Sequence, residues 1–385
     1  MINVRDRGAI GDGVADDSAA FQDALTAGGW IYVPPGVYLL ATLPLRIPAR
    51  TRLTLEPGAV LLRASPEVML TNTPPGGSSS GGYGGPGGIL VEGGLWDVNG
   101  VVRTEYSGAL AFAHAEDITV RDVTVQDVPG WHAVEFNACK NTRVRDSRFM
   151  GFWHTGDRGG SEAVQFDAAT STTAYPWGGP YDETPCQDAS VTGCLVGPSG
   201  TPGTQSWPRG VGSHNCGATA HSGIRVARNV FDQVTDSGVR TYKWSESLIV
   251  NNTVKASLGE GIAVRDSTYH TDVLGNQVFD SGRSGIWVNN GCSQIGIRGN
   301  TVIGSGKSED SVHYGIRISN TCNLVQITGN RVRRRSVGPH ARYGLSLTST
   351  CDRCQRYGNY LAASGNLGAI EDVSTNVIIA ATDAA

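Results

Sequence analysis

The sequence predicts an all-β fold, a right-handed parallel β-helix with a short N-terminal capping helix. The chain has 385 residues, and its 52 glycines are spread along most of its length, which indicates many turns. Short strand-like segments recur at a near-constant spacing. Because strands this short cannot bury a hydrophobic face alone, successive turns must stack and share one core. We therefore expect residues 1–385 to form a single parallel β-helix domain.

Two interleaved series define the repeat. Glycines begin the segments GVRTYKW, GIAVRDS, GIWVNNG, GIRISNT and GLSLTST at spacings of 23, 24, 30 and 29 residues: Gly238, Gly261, Gly285, Gly315 and Gly344. Asparagines recur between them at spacings of 23, 24, 24 and 30 residues: Asn229, Asn252, Asn276, Asn300 and Asn330. We expect both series to occupy turns that tolerate left-handed backbone. We also expect the asparagines to stack as a hydrogen-bonded ladder.

The N-terminal part and two loops depart from the repeat. Asp16-Asp17-Ser18 precedes AAFQDALTAG, a pattern that predicts a capped helix ended by glycine and closing the open end of the β-helix. Residues 1–70 thus form the cap and the first coils. Residues 74–88 (PPGGSSSGGYGGPGG) predict a loop that either flanks a groove or is disordered. Residues 168–208 form a long insertion beside the expected cleft.

Composition excludes several functions. The net charge of −4 and the pI of about 6.1 give no nucleic-acid footprint. No apolar run is long enough to span a membrane. The start, MINVRDRGAIGDG, lacks the features of a secretory signal, so we expect a secreted protein with its signal removed or a particle-associated one, rather than a cytoplasmic one. No cofactor or metal is expected, and both a monomer and a homotrimer are compatible with the sequence.

Strand alternation identifies candidate site residues. Side chains at equivalent outward positions of neighbouring coils lie about 4.8 Å apart, so residues distant in the chain become neighbours. Ionisable groups placed this close perturb each other, as catalytic groups do. The candidate catalytic residues are Glu135, Glu162, Asp167, His214, Arg240 and Tyr242. The candidate substrate-binding residues are His132, Gln165, Arg265, Trp287 and, from the insertion, Trp177 and Trp207. A solvated face with ordinary charge pairs is the alternative.

A family resemblance follows from the N-terminal segments. NVRDRGAIGDGVADDSAAFQDAL, followed by IYVPPGVYLL, resembles the N-terminal cap of the pectate-lyase-like superfamily. This superfamily includes the family 28 glycoside hydrolases (polygalacturonases) and phage tailspike depolymerases. ILVEGGLWDVNG is similar to the polygalacturonase segment that ends in Asp-Gly-Asn-Gly, and the order of coils runs parallel from residue 109 to about 255. The resemblance implies a β-helix that acts on polysaccharides.

The catalytic motifs of polygalacturonases are only partly matched. Arg-Ile-Lys falls on Arg240-Thr241-Tyr242, which keeps the arginine and replaces the lysine by tyrosine. Gly-His-Gly falls before Gly212-Ser213, with Trp207 in place of the histidine and His214 nearby. Gly-Asp-Asp falls near Ser161-Glu162, with Gly156-Asp157 as a second match, and Asn-Thr-Asp falls on Trp131-His132, with Glu135 following. The resemblance therefore implies the fold, but not the three-aspartate mechanism.

Three functions fit these residues. A polysaccharide-degrading glycoside hydrolase would use Glu162 with Asp167 or Glu135 as its two carboxyl groups. A lyase or C5-epimerase acting on a uronan would neutralise the uronate carboxylate with Arg240, Arg265 and Gln165, and would use His214 and Tyr242 as base and acid. A tailspike-like protein that only binds glycans is the third. The expected partner in each case is a poly- or oligosaccharide.

Overall fold

The computed structural model describes residues 1–154, 159–173, 175–376 and 378–379. Two compact units are present: unit 1 comprises Met1–Trp207 and Asn215–His221, and unit 2 comprises Pro208–His214 and Ser222–Ala385. Each unit is described by itself below. The described residues contain one α-helix, one short 3₁₀ helix and many short strands. No helix among them has the length and apolar character needed to cross a membrane.

Both helices of the described residues lie near the start of unit 1, and strands follow them. The helices are the 3₁₀ helix Val4–Arg7 and α1 (Ser18–Ala27). The strands are β1 (Ile2–Asn3), β2 (Asp12–Asp16), β3 (Trp30–Val33), β4 (Gly36–Leu40), β5 (Leu45–Arg46), β6 (Arg52–Arg63), β7 (Leu70–Thr71), β8 (Ile89–Asp97), β9 (Leu110–Ala113), β10 (Ile118–Arg121), β11 (Thr124–Pro129), β12 (Val134–Asn137), β13 (Arg143–Arg145), β14 (Arg148–Trp153), β15 (Glu162–Asp167), β16 (Ser190–Thr192) and β17 (Leu195–Gly197).

The strands from residue 208 onward are equally short. They are β18 (Arg209–Gly212), β19 (His221–Ser222), β20 (Arg225–Ala227), β21 (Val230–Asp232), β22 (Ser237–Arg240), β23 (Trp244–Val250), β24 (Thr253–Lys255), β25 (Ile262–Arg265), β26 (Tyr269–Leu274), β27 (Gln277–Phe279), β28 (Ile286–Asn289), β29 (Ser293–Arg298), β30 (Thr301–Ile303), β31 (Tyr314–Ile318), β32 (Gln326–Thr328), β33 (Arg331–Arg333), β34 (Tyr343–Leu347), β35 (Gln355–Tyr357), β36 (Gly368–Asp372) and β37 (Ile378–Ile379).

In each unit, strands one turn apart pair in parallel. In unit 1, β5, β7, β9, β12 and β15 form one such stack in that order. In unit 2 the corresponding stack is β18, β22, β25, β28, β31, β34 and β36. The predicted parallel β-helix is confirmed. The single-domain organisation over residues 1–385 stays a prediction.

Repeated residues at equivalent strand positions fill the interior of the coils. In unit 1 the rings of Phe112, Phe136 and Phe166 stack on successive strands, with centroids 5.7 and 5.5 Å apart. In unit 2 Ile262, Ile286 and Ile316 are paired in register, and all are buried. Alternation along each strand therefore places the residues between them, such as Glu135 and Trp287, on the outward face.

The asparagine ladder of unit 2 is confirmed. Each side-chain Nδ2 donates to the Oδ1 of the next asparagine at 2.9–3.0 Å, from Asn229 through Asn252, Asn276, Asn300 and Asn330 to Asn359. Asn359 extends the series by one residue that the sequence analysis did not name. Five of the Nδ2 groups also donate to a backbone carbonyl at 2.9 Å. The ladder thus satisfies buried polar groups on every coil.

The prediction of left-handed backbone at the repeat glycines and asparagines was wrong. None of the five leading glycines has a positive φ; the left-handed residues are instead those that precede each ladder asparagine, such as Asn251 (φ 54°) and Gly275 (φ 60°). The leading glycines are required by close packing. A Cβ atom added at Gly261 would lie 2.3 Å from Val278 Cγ1 and 2.5 Å from the carbonyl oxygen of Gly285.

The N-terminal helix lies where the sequence predicts it. Helix α1 ends at Gly28, which has φ 69° and whose N–H donates to the carbonyl of Leu25 at 2.9 Å. The carboxylate of Asp16, rather than that of Asp17, accepts from the N–H of Ser18 at 3.0 Å. The Asp17 carboxylate accepts instead from the backbone N–H groups of Ile10 and Gly11. Asp16 therefore has the capping role, whereas Asp17, which directly precedes the helix, makes no side-chain bond to the helix and holds the turn at Ile10 and Gly11.

The Gly/Ser-rich loop and the insertion are bonded to each other in unit 1. The N–H of Gly179 donates to the carbonyl of Gly77 at 2.7 Å, and the N–H of Gly82 donates to Asp182 Oδ2 at 2.7 Å. His114 lies between the two segments, with Nδ1 3.0 Å from the carbonyl oxygen of Gly82 and Nε2 2.7 Å from that of Pro180. Loop 74–88 is thus held in place by the insertion.

Candidate functional site

Two carboxyl groups and two amide side chains meet on neighbouring strands of unit 1. Glu135 pairs in register with Gln165, and Asn137 pairs with Asp167, so these four outward side chains form two adjacent rows on β12 and β15. His132 lies two residues before β12, and Glu162 is the first residue of β15, with the alternation of the inward Val164 and Phe166. We call this group the acid cluster: Glu135, Glu162 and Asp167, with His132, Asn137 and Gln165.

Fixed N–H donors orient two of the carboxylates. Glu135 accepts from Trp131 Nε1 through Oε2 and from Asn137 Nδ2 through Oε1, both at 2.8 Å. Asp167 accepts from Gln165 Nε2 at 2.8 Å and from the backbone N–H of Asn215 at 3.1 Å. Each carboxylate is therefore held in one orientation, which is what a catalytic acid or base requires.

Glu162 has a different partner. Its Oε2 lies 3.6 Å from Nδ1 of His132, and the same ring nitrogen lies 3.1 Å from the backbone nitrogen of Glu162. Glu162 is completely buried, and His132 is 4% exposed. Because Nδ1 accepts the backbone N–H of Glu162, the imidazole and the carboxylate are neighbours without a hydrogen bond between them.

Aromatic residues cover the acid cluster. Trp131 stands edge-to-face against Trp177 at 5.6 Å, and Trp177 against Tyr175 at 5.4 Å. Tyr175 packs with Val68 and with the outward face of β9, and its hydroxyl lies 3.0 Å from the Oγ1 atoms of Thr71 and Thr73. Burial raises the pKa of Tyr175, and the nearby charge of Glu135 adds to this shift, so the phenol stays neutral.

Burial of the acids is the main departure from the expected open cleft. Glu135, Glu162, Gln165 and Asp167 are each at most 1% exposed. The sequence placed Glu135, Gln165 and Asp167 on the outward face and Glu162 at the entry of its strand, but it did not reveal that the insertion packs over this region. It also missed Trp131, Asn137 and Asn215 as hydrogen-bonding partners of the acids.

The aromatic residues of the insertion pack within unit 1. Trp207 is fully buried, with its ring 5.2 Å from that of Phe152, so it presents no ring face to solvent and a sugar-stacking role does not fit. The Tyr181 hydroxyl donates to the carbonyl of Tyr175 at 3.2 Å. Gly156-Asp157, the second match to Gly-Asp-Asp, lies outside the described residues.

Unit 2 carries the predicted arginines on its outward face. Arg240 lies 3.7 Å from Asp236 and 4.0 Å from Asp266, and Arg209 donates to Asp236 at 2.6 Å. The pairing register aligns Arg240 with Ala263, whereas Arg265 aligns with Asn289. Arg265 therefore lies two residues further along its strand than Arg240, so the two arginines do not occupy equivalent positions on neighbouring coils.

The remaining predicted residues of unit 2 differ in exposure. His214 is exposed, and Tyr242 is half-buried beyond the end of β22. Trp287 lies in register with Arg317, and the guanidinium of Arg265 lies over its ring at 4.9 Å. Trp287 also lines a polar cavity with Glu260, His313 and other residues that the sequence analysis did not name. The spacing of 30 residues before Gly315 was the only signal of this cavity.

Two family models match parts of the chain. One is described as "Rhamnogalacturonase A/epimerase, pectate lyase-like" and matches residues 1–65. The other is described as "Periplasmic copper-binding protein (NosD)" and matches residues 209–378. Among the described residues, no three His, Cys, Asp or Glu side chains are grouped so that they could hold a metal ion. The side chains present therefore do not fit a copper site.

Curated relatives match part of the chain. Plasmin and fibronectin-binding protein A of Streptococcus pneumoniae is 27% identical over 295 residues, covering 69% of this chain and 41% of its own. Mannuronan C5-epimerase AlgE6 of Azotobacter vinelandii is 32% identical over 137 residues, covering 34% of this chain and 14% of its own. The chain thus spans less than half the length of these two relatives.

Solved structures match almost the whole chain. The A-module of AlgE6 from Azotobacter vinelandii has a TM-score of 0.79 at 17% identity, covering 99% of both chains. The pneumococcal adhesin PfbA has a TM-score of 0.77 at 19% identity, covering 96% of this chain and 91% of its own. A family 28 exopolygalacturonase of Yersinia enterocolitica has a TM-score of 0.59 at 13% identity, covering 98% and 78%. These matches confirm the predicted resemblance, and the chain has the parallel β-helix fold of pectate-lyase-like proteins.

Proposed function

We propose that this protein is a glycoside hydrolase that degrades an extracellular polysaccharide. The observation that carries the proposal is the acid cluster, in which carboxyl groups on adjacent strands of unit 1 are held in fixed orientations. Glycosidases of this type use one carboxyl group as proton donor and a second as base or nucleophile. Glu135 and Asp167, which project from the same face of the adjacent strands β12 and β15, are the two carboxyl groups, and Glu162 lies beside His132.

Access to the acids requires a movement of the cover. The segment that carries Tyr175 and Trp177 packs over the acid cluster, so a sugar reaches the acids only after this segment is displaced. Exclusion of water by a closed segment strengthens electrostatic interactions inside a site. His114, which bonds this segment to loop 74–88, is the residue that holds the cover closed.

The names of the relatives support a glycan or host-surface partner. One is a surface adhesin and another is an epimerase of mannuronan, a polysaccharide. An extracellular or surface location and a poly- or oligosaccharide partner follow as parts of the proposal. Hydrolysis, rather than adhesion alone, is proposed because adhesion would not require oriented carboxyl groups on adjacent strands.

Elimination or epimerisation of a uronan is the second candidate. It is favoured by the arginines on the outward face of unit 2, where Arg265 lies over the Trp287 ring and Arg240 lies on the preceding strand of the stack. Guanidinium groups stabilise the enolate that forms when a base removes the proton next to a uronate carboxylate. His214, which is exposed, and Tyr242 are the proton-transfer groups of this candidate.

The test is a screen of acidic and neutral polysaccharides. It is read by new reducing ends, by the ultraviolet absorbance of unsaturated uronates and by proton NMR of epimerised residues. Hydrolysis predicts reducing ends without absorbance, and we expect Glu135→Gln and Asp167→Asn to lower turnover by about 10²–10⁴-fold. The matched control is Glu116→Gln, since Glu116 is an exposed carboxylate of unit 1 outside the acid cluster. Equal turnover in all three variants would refute the assignment.

A further inference from the structure

A polar cavity lies within unit 2. It has a volume of about 490 Å³, and its charged and aromatic lining residues are Glu260, Arg283, Trp287, Glu309, His313 and Arg317. Of these, only Trp287 was singled out from the sequence. All of them belong to the second unit, so this cavity is separate from the acid cluster.

The coil geometry explains why these residues converge. Trp287 and Arg317 are in register on β28 and β31. Glu260, Arg283 and His313 lie just before β25, β28 and β31, where the backbone of successive coils is hydrogen-bonded. The wall that carries Glu309 comes from the segment between β30 and β31, where the repeat lengthens from 24 to 30 residues. The irregular spacing of the sequence therefore builds the cavity.

The electrostatics of the cavity favour an anion. Burial raises the pKa of Glu260; Asp236 adds to the shift, while Arg283 at 4.0 Å and Arg265 oppose it. Burial lowers the pKa of His313, and Arg283 adds to this shift. The acid and the imidazole are thereby biased to their neutral forms. Two guanidinium groups, those of Arg283 and Arg317, then face one carboxylate, that of Glu309.

Two further features suit a sugar ring. The indole N–H of Trp287 donates to Ser319 Oγ at 2.9 Å, which fixes the plane of the ring that lines the cavity. Arg317 Nε is buried and has no hydrogen-bond acceptor among the described residues. Rings of this kind pack against pyranose faces, and an unpaired buried donor gains a full hydrogen bond when a ligand supplies an acceptor.

We propose that this cavity binds one negatively charged sugar residue, whose carboxylate or sulfate group pairs with Arg283 and Arg317 while its ring packs against Trp287. The inference rests on the proposed function only in taking a saccharide as the partner. It concerns binding in unit 2, and it does not depend on hydrolysis at the acid cluster.

Calorimetric titration with three oligosaccharide sets tests the inference: uronate, sulfated and neutral oligosaccharides of equal length. We expect one anionic set to bind and the neutral set to bind at least about tenfold more weakly, because charge-assisted hydrogen bonds are lost. The preferred anionic set identifies the charged group. Arg317→Gln should lower the affinity at least about tenfold, and Arg317→Lys, which keeps the charge, by less.

The matched control is Arg298→Gln, since Arg298 forms an exposed ion pair with Asp272 outside the cavity. We expect the affinity of the wild type to decline as the pH rises and Glu260 ionises, and Glu260→Gln should remove this decline. Glu135→Gln and Asp167→Asn should keep full affinity, which separates this inference from the proposed hydrolysis. Equal binding of neutral and anionic sets, no binding of any set, or equal affinity in Arg317→Gln and Arg298→Gln would overturn it.

Discussion

Replacement of Asn276 by alanine should destabilise unit 2 by about 2–6 kcal/mol. The Asn276 side chain, which is fully buried, takes part in four hydrogen bonds. Oδ1 accepts from the backbone N–H and from Nδ2 of Asn252 at 2.9 and 3.0 Å, and Nδ2 donates to Asn300 Oδ1 and to the carbonyl of Ile249 at 3.0 and 2.9 Å. Alanine leaves two buried donors of Asn252 without an acceptor, and each costs about 1–3 kcal/mol.

The measurement is urea unfolding followed by circular dichroism, together with amide hydrogen exchange. Coils of a repeat protein contact mainly their neighbours, so exchange should increase most in the coils that carry Asn252 and Asn300. The control is Gln277→Ala, since the Gln277 side chain is exposed and its backbone has no positive φ; it should cost less than about 0.5 kcal/mol. A loss below about 1 kcal/mol in Asn276→Ala, equal to that of the control, would show that the ladder does not stabilise the coils.

Three further predictions concern packing, titration and the loop contact. Gly261→Ala should destabilise the protein by about 1–3 kcal/mol in thermal unfolding, because its Cβ would lie 2.3 Å from Val278 Cγ1. The raised pKa of Glu260 means that the folded state binds this proton more tightly than the unfolded state. Stability should therefore fall as the pH rises from the ordinary glutamate value to the raised one, and Glu260→Gln should flatten this part of the melting-temperature profile. His114→Ala should speed proteolysis within loop 74–88, because His114 bonds Gly82 and Pro180.

Each of these predictions has its own control. Gly159→Ala should be nearly neutral, since no atom lies within 4 Å of the added Cβ and the residue has no positive φ. Glu246→Gln, at an exposed residue, should keep the wild-type pH profile. His270→Ala, likewise at an exposed histidine, should leave the cleavage rate unchanged. A wild-type melting temperature in Gly261→Ala, an unaltered pH profile in Glu260→Gln, or unchanged cleavage in His114→Ala would each contradict the corresponding argument.

The sequence by itself determined the repeat and the direction of side chains within it. The fold follows from periodicity, because each coil must bury its apolar residues against the next. The ladder follows for the same reason, since Asn229 to Asn330 recur at the period of the coil. Alternation also placed Glu135 and Asp167 on one face, and the register of β12 and β15 agrees.

Tertiary structure alone decided how the candidate site is covered. The contacts that bury the acid cluster join Tyr175 to Thr71 and His114 to Pro180, pairs far apart in the chain. The insertion has no period, so no spacing rule predicts where it packs.

For the cavity of unit 2 as well, the sequence and the tertiary structure determined different features. The sequence showed that one repeat is six residues longer than its predecessor, but not where those residues go. Their position is set by packing against Trp287 and Arg317 on the adjacent coils. Periodic sequence thus fixes which residues become neighbours along a coil stack, whereas irregular segments are placed by non-local packing energy that no local pattern encodes.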